Sequence, residues 1–134
     1  MGQVYVDTSA FYAAVVRDDA NHVAAREALA GLLADGAELV TSSSVVQETI
    51  ALLQNRWGTE AVRDWQLLAE PGLEIRWVDE EVHERALIAL LAAEERRISL
   101  TDWSSFEVIR ELGIETAFTF DRDFRNRGFK VIPP

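Results

Sequence analysis

The chain has 134 residues, a formal net charge of −10, 49% hydrophobic and 27% charged residues, the size and balance of one soluble domain with its own core. It contains no cysteine, which excludes disulfide staples, thiolate metal sites and a cysteine nucleophile. The acidic balance also runs against a surface built broadly for phosphate backbones, which are held mainly by Lys and Arg.

Apolar periodicity and turn signals alternate as strand and helix units. Val4, Tyr5 and Val6 form a β-branched and aromatic run that predicts a strand over 3–7 ending on Asp7. A helix follows over 9–17, with Phe11, Ala14 and Val15 on one face. Asp18, Asp19 and Asn21 signal a turn and a second helix entry, and that helix runs to 34, where Asp35 and Gly36 end it. A second strand spans 38–41. Ser42, Ser43 and Ser44 offer caps for the next helix; Ser44 and Gln47 have capping-box spacing, which places Glu48 in the first turns. Gly58 breaks this helix, a further one covers 60–69, and Pro71 and Gly72 lead into a third strand over 73–78. Asp79 then caps a long Ala/Leu helix to 97, and Thr101 or Asp102 opens another that ends at Gly113. A fourth strand over 116–120 and a short last strand around Val131 and Ile132 complete one α/β domain over 1–134 with a largely parallel sheet.

No apolar run approaches the roughly 18 residues of a bilayer span, and the start lacks the basic region of a signal peptide. A cytoplasmic protein without membrane attachment is expected.

Chemistry concentrates at four acids, Asp7, Glu48, Asp102 and Asp121, each where an apolar segment passes into a turn or a first helical turn. Strands that end in carboxylates invite a site between them, because the crevice outside the carboxyl ends of a parallel sheet is where ligands bind. Carboxylates gathered there repel one another and raise each other's pKa unless a cation sits among them. Hard oxygen ligands of this kind suit Mg²⁺ or Mn²⁺. Each acid also has a purely structural explanation: Asp7 and Asp102 as helix caps, Glu48 as a partner of the helix dipole, and Asp121 with Asp123 as turn formers around Arg122. Trp57, Trp65 and Trp77 read as core, and His22 and His83 as solvated helix residues.

Read in order, Asp7-Thr8-Ser9, Glu48, Ser99-Leu100-Thr101-Asp102 and Thr119-Phe120-Asp121-Arg122-Asp123-Phe124 resemble the pattern of PIN-domain ribonucleases, and the VapC-type toxins among them most of all. The resemblance covers essentially the whole length. It implies a three-layer α/β fold with a mainly parallel five-stranded sheet of order 3-2-1-4-5, in which Asp7 and Asp121 meet at the switch point. It also implies a Mg²⁺- or Mn²⁺-dependent endoribonuclease leaving 5′-phosphate and 3′-hydroxyl ends, a homodimer, and inhibition by a basic-tailed antitoxin. Position by position, Asp7, Glu48, Asp102 and Asp121 match the acidic quartet, Asp123 a frequent fifth acid, and Ser9 and Thr119 the supporting hydroxyls. Arg122, Arg125, Arg127 and Lys130, close to Asp121 in sequence, are candidates for an RNA-facing rim. Trp103 departs from the pattern, which more often has a small residue there; its indole either narrows the cleft or packs outward.

Two other classes compete. A dehalogenase-like or receiver-like phosphotransfer domain wants a second Asp where Ser9 stands and a distant lysine, whereas Lys130 is the only lysine and lies almost at the end. A non-catalytic module keeping the PIN fold and an acidic cleft for a basic protein partner is separated from the enzyme by metal titration followed by a test of turnover.

Overall fold

The computed structural model describes residues 2–134, and its centre is a sheet of five strands, all parallel, in the order β3-β2-β1-β4-β5. The strands are β1 (Gln3–Val6), β2 (Glu38–Ser42), β3 (Glu74–Arg76), β4 (Thr116–Phe118) and β5 (Lys130–Ile132). Between them run α1 (Thr8–Val15), α2 (His22–Ala34), α3 (Ser43–Trp57), α4 (Thr59–Leu68), α5 (Glu80–Ala93), α6 (Leu100–Leu112) and α7 (Arg122–Asn126). Helices cover both faces of the sheet, so the middle strand is buried beyond its first residue: Val4, Tyr5 and Val6 are at most 1% exposed. Among the described residues no helix is long and apolar enough to cross a membrane.

Several boundaries differ from the sequence expectation for identifiable reasons. Ser42, not Ser44, caps α3, its hydroxyl accepting from the Val45 amide at 3.2 Å, so the Ser44–Gln47 box does not form. The long helix α5 stops at Glu94, which takes a left-handed φ of 54°, rather than continuing to 97. The polar run of residues 94–97 has no apolar side chain to bury, and the chain turns inward again only at Ile98. The third strand is shorter than 73–78, and α7 stands where the sequence suggested only a turn. Of the tryptophans, Trp65 and Trp103 are core, but Trp57 and Trp77 are 49% and 68% exposed. Trp57 ends α3, where its indole N–H reaches the Tyr12 hydroxyl at 2.9 Å instead of the interior. His22 is not simply solvated either; its Nδ1 lies 2.7 Å from the Ala13 carbonyl and ties the start of α2 to α1.

Tyr5 joins three elements through one hydroxyl. It lies 2.7 Å from Ser105 Oγ on α6 and 3.1 Å from Ser42 Oγ at the cap of α3. A phenol has one proton, so it donates to one serine and accepts from the other; burial, opposed by these bonds, pushes its pKa upward. Tyr5→Phe leaves both serine hydroxyls buried without their shared partner and is expected to cost about 1–3 kcal/mol. Urea unfolding at unchanged m-value is the check, and a midpoint equal to that of the native chain would refute the role.

Candidate active site

The turn after β1 and the turn after β4 meet at the carboxyl ends of adjacent strands. The Asp7 amide donates to the Phe118 carbonyl at 3.1 Å, extending the β1–β4 ladder by one bond, and the chain then bends into α1. Asp7 is the N-cap of that helix, with extended backbone and a side chain accepting weakly from the Ser9 amide at 3.4 Å. Its stronger bonds come from hydroxyls: Ser9 Oγ at 2.9 Å and Thr119 Oγ1 at 3.0 Å, both to the same oxygen, Oδ2. Each hydroxyl also accepts a backbone N–H, Ser9 from Phe120 at 2.9 Å and Thr119 from Asp121 at 3.0 Å. Each hydroxyl thus gives its one proton to the carboxylate and receives one from the backbone. The acid of the first turn is thus fastened to the loop that carries Asp121.

Asp7 is 4% exposed, and burial raises its carboxyl above the ordinary range. The Ser9 and Thr119 hydroxyls oppose the rise, and the charge of Asp121 adds to it. Asp121 caps α7, accepting from the Asp123 amide at 2.9 Å. Its carboxyl is raised chiefly by burial and further by Asp123, with the Arg97 charge opposing.

Asp102 reaches the site from α6. It is not the residue that opens this helix: Ser99 is the N-cap, and the two form a reciprocal capping box, Asp102 N to Ser99 Oγ at 3.2 Å and Ser99 N to Asp102 Oδ2 at 3.1 Å. Its pKa is pushed up to about 7, first by burial and then by the charges of Asp7 and Asp121, which places the three carboxylates within electrostatic reach of one another.

Asp123 is drawn aside by Arg97, whose Nη2 lies 3.2 Å from Oδ1. Glu48 sits half-buried in the second turn of α3, and among the described residues it enters no hydrogen bond or ion pair. Each of Asp7, Asp102 and Asp121 directs its side-chain hydrogen bonds through one oxygen, and a monodentate ligand needs only the other. The donor set is hard, anionic and partly desolvated, as a divalent magnesium-like cation requires. Among the described residues no three His, Cys, Asp or Glu side chains already stand in a metal-binding cluster, so the acids would have to close in on a cation.

The basic rim divides. Arg122 and Arg125 line an open groove with Asn21, Ala24, Thr119 and Asp121. Arg127 turns inward, its guanidinium 4.3 Å above the Trp103 ring and 3.6 Å from Glu95. Lys130 is removed from the site altogether, because it pairs in register with Thr116 at the opening end of β4 and lies 3.9 Å from Glu115. Closeness in sequence to Asp121 was misleading here, since β5 starts at the far end of the parallel sheet. Two residues that hold the acids were given no such role in the sequence reading. Ser99 had a readable signal, the capping-box spacing to Asp102; Arg97 had none, being 26 positions from its partner.

Comparison with known proteins identifies the family. The PIN domain family matches residues 4–130. The 23S rRNA-specific endonuclease VapC20 of Mycobacterium tuberculosis (strain CDC 1551 / Oshkosh) is 33% identical over 132 residues, 98% of each chain. The crystal structure of Mycobacterium tuberculosis VapC20, a sarcin–ricin-loop-cleaving toxin, superposes with a TM-score of 0.81 over 94% of this chain and 95% of that one, at 33% identity. VapBC2 of Rickettsia felis, solved with a DNA fragment from its promoter, superposes with a TM-score of 0.71 over 98% of this chain and 97% of that one; at 15% identity it speaks for the fold alone. With the family matched over nearly the whole length and the sheet order reproduced, the chain belongs to the PIN-domain family.

Proposed function

We propose that this protein, a single PIN domain over 1–134, is a metal-dependent endoribonuclease that hydrolyses RNA phosphodiesters to 5′-phosphate and 3′-hydroxyl ends. The observation that carries the reading is Asp7: a buried carboxylate, raised in pKa, supported by two hydroxyls and facing the charges of Asp102 and Asp121 at the strand switch point. Asp7, Asp102 and Asp121 would hold Mg²⁺ or Mn²⁺, with Glu48 and Asp123 completing the acidic set. Bound there, the cation supplies Lewis-acid polarisation of the phosphoryl group and a more acidic water.

The chain's own part is orientation. Ser9 and Thr119 fix one Asp7 oxygen, and the Ser99 box fixes one Asp102 oxygen. Any one carboxylate of the set could take the proton released by the attacking water. Arg122 and Arg125 in the groove beside Asp121 would meet the RNA backbone. The ribose 2′-hydroxyl is not the nucleophile, so no cyclic phosphate forms.

Because VapC20 is a toxin acting on 23S rRNA, a sarcin–ricin-type stem-loop is the first substrate to assay, and restraint by a basic antitoxin in the cytoplasm is part of the proposal. Exposed Leu87, Ile88 and Leu91 on α5 support a homodimer.

Asp7→Asn keeps the shape and removes the charge; cleavage should fall by about 10²-fold or more while the fold persists. The check is metal-dependent cleavage of structured RNA with end analysis of the products; full activity in the variant would refute the site, and cyclic phosphate ends would refute the mechanism. A second test uses pH. The folded Asp102 carboxyl titrates at about 7 against an ordinary 3.8, so the fold binds the proton more tightly than the unfolded chain does. That contribution is fully present below about pH 4 and is lost as pH rises through about 7, so metal-free stability should decline across this window. Mn²⁺ must displace the same proton, so its apparent affinity should rise between about pH 6 and pH 8. Melting in EDTA and Mn²⁺ titration measure the two trends, and a Mn²⁺ affinity flat across that range would remove Asp102 from the ligand set.

A further inference from the structure

The connection of residues 94–99 and the short helix α7 grip each other through two crossed ion pairs. Arg97 of the connection meets Asp123 of α7 at 3.2 Å, and Arg127 at the end of α7 meets Glu95 of the connection at 3.6 Å. The second pair has an additional anchor. The Arg127 guanidinium lies 4.3 Å from the centre of the Trp103 ring and 5.6 Å from that of Phe106, a planar cation resting on two aromatic side chains of α6. Beneath it, Trp103 is 5% exposed and its indole N–H has no hydrogen-bond partner, so packing and the overlying cation alone fix the ring. Trp103 is the immediate neighbour of Asp102, and its amide donates to the Ser99 carbonyl at 3.0 Å in the first turn that also holds the Asp102 box.

We infer that Arg127 is a positioning residue that sets the Asp102 carboxylate against the Asp121 side of the site, acting through Trp103 and Glu95 rather than by touching RNA. The inference rests on the metal-site reading above and deepens it. The guanidinium is only 27% exposed, with one side on the rings and one edge on Glu95, so it offers little to a phosphate backbone. Its position ties the end of α7, the short helix capped by Asp121, to the helix start that carries Asp102. Trp103, where the family pattern more often has a small residue, supplies the surface on which Arg127 rests, so the two side chains work as a pair.

The experiment compares the native chain with Arg127→Ala, Arg127→Lys and Glu95→Gln. Amide exchange at Asp102 and Trp103 is followed without metal, with the β1 amides as internal reference, and is set beside Mn²⁺ affinity and binding of a stem-loop RNA without metal. Arg127→Ala should speed exchange at the two α6 amides by about two- to five-fold and weaken Mn²⁺ binding by about ten-fold, leaving β1 exchange and metal-free RNA binding unchanged. Arg127→Lys, keeping the charge without the plane, should fall between, and Glu95→Gln should move the same readings less, which keeps the test open if Arg127→Ala does not fold. Unchanged exchange and Mn²⁺ affinity, or a loss confined to RNA binding, would overturn the inference and return Arg127 to the substrate rim. Absence of Mn²⁺ uptake by the native chain would instead sink the metal site, and the exchange measurement would still decide whether Arg127 holds the start of α6.

Discussion

Two hydroxyls on one carboxylate oxygen determine how this site is built. Ser9 and Thr119 reach Asp7 from the turn after β1 and the turn after β4, which the sheet order places side by side. The Ser9 bond is local, two residues from Asp7, whereas the Thr119 bond requires β1 and β4 to be adjacent and parallel, since only then do both strands end at the same edge. The same two oxygens receive the amides of Phe120 and Asp121, so the loop carrying the second acid is held by the group that holds the first. Removing either hydroxyl would leave a buried carboxylate short of a donor and a part-buried amide short of an acceptor, a double loss at one point.

Around that bracket the chain accepts an electrostatic cost. Asp7, Asp102 and Asp121 all titrate above the ordinary carboxylate range, and in each case burial is the leading cause and a neighbouring carboxylate a further one. Fixed partners limit the cost without removing it, which is the usual condition of a site shaped for a ligand rather than for stability. Elsewhere the arginines answer acids of the helices: Arg85 meets Glu81, Glu107 and Glu111, and Arg76 meets Asp79 and Glu111. Those partly exposed pairs add little to stability singly, but they join α5 and α6 and leave the positive charge near the acidic site to Arg97, Arg122 and Arg125.

The sequence was most legible where local chemistry and fold agree. The apolar run ending on Asp7, the cap at Asp79 and the breaks at Gly58 and Gly113 lie where their residue types predict. Misreadings arose where a distant partner decides. Ser42 rather than Ser44 became the cap because its oxygen also faces the Tyr5 hydroxyl, 37 positions away. Trp57 is satisfied by Tyr12, 45 positions away, and so can stay outside the core. Trp103 packs inward, against Phe106 and under Arg127, where neither expected orientation placed it. In α7 five residues were too few for any period to show, and the helix is held by Phe124, wholly buried and 5.0 Å from the Phe106 ring.

The structural and functional explanations of the acids turn out not to be alternatives. Asp7 is an N-cap, as the local reading has it, while Asp121, read as a turn former, caps α7, and Asp102, read as a cap, is the third-position partner in a capping box. A cap fixes a carboxylate relative to backbone amides that the fold itself locates, and it engages one oxygen while leaving the direction of the other determined. Three short helix starts converging on one sheet edge therefore deliver three oriented carboxylates without a dedicated scaffold for any of them. Glu48, in a second turn rather than at a cap, lacks that local hold, and among the described residues it is the one member of the acidic quartet with no hydrogen-bond partner. Its side chain is consequently the least constrained of the four, so the proposed site is fixed at its caps and unheld at one edge.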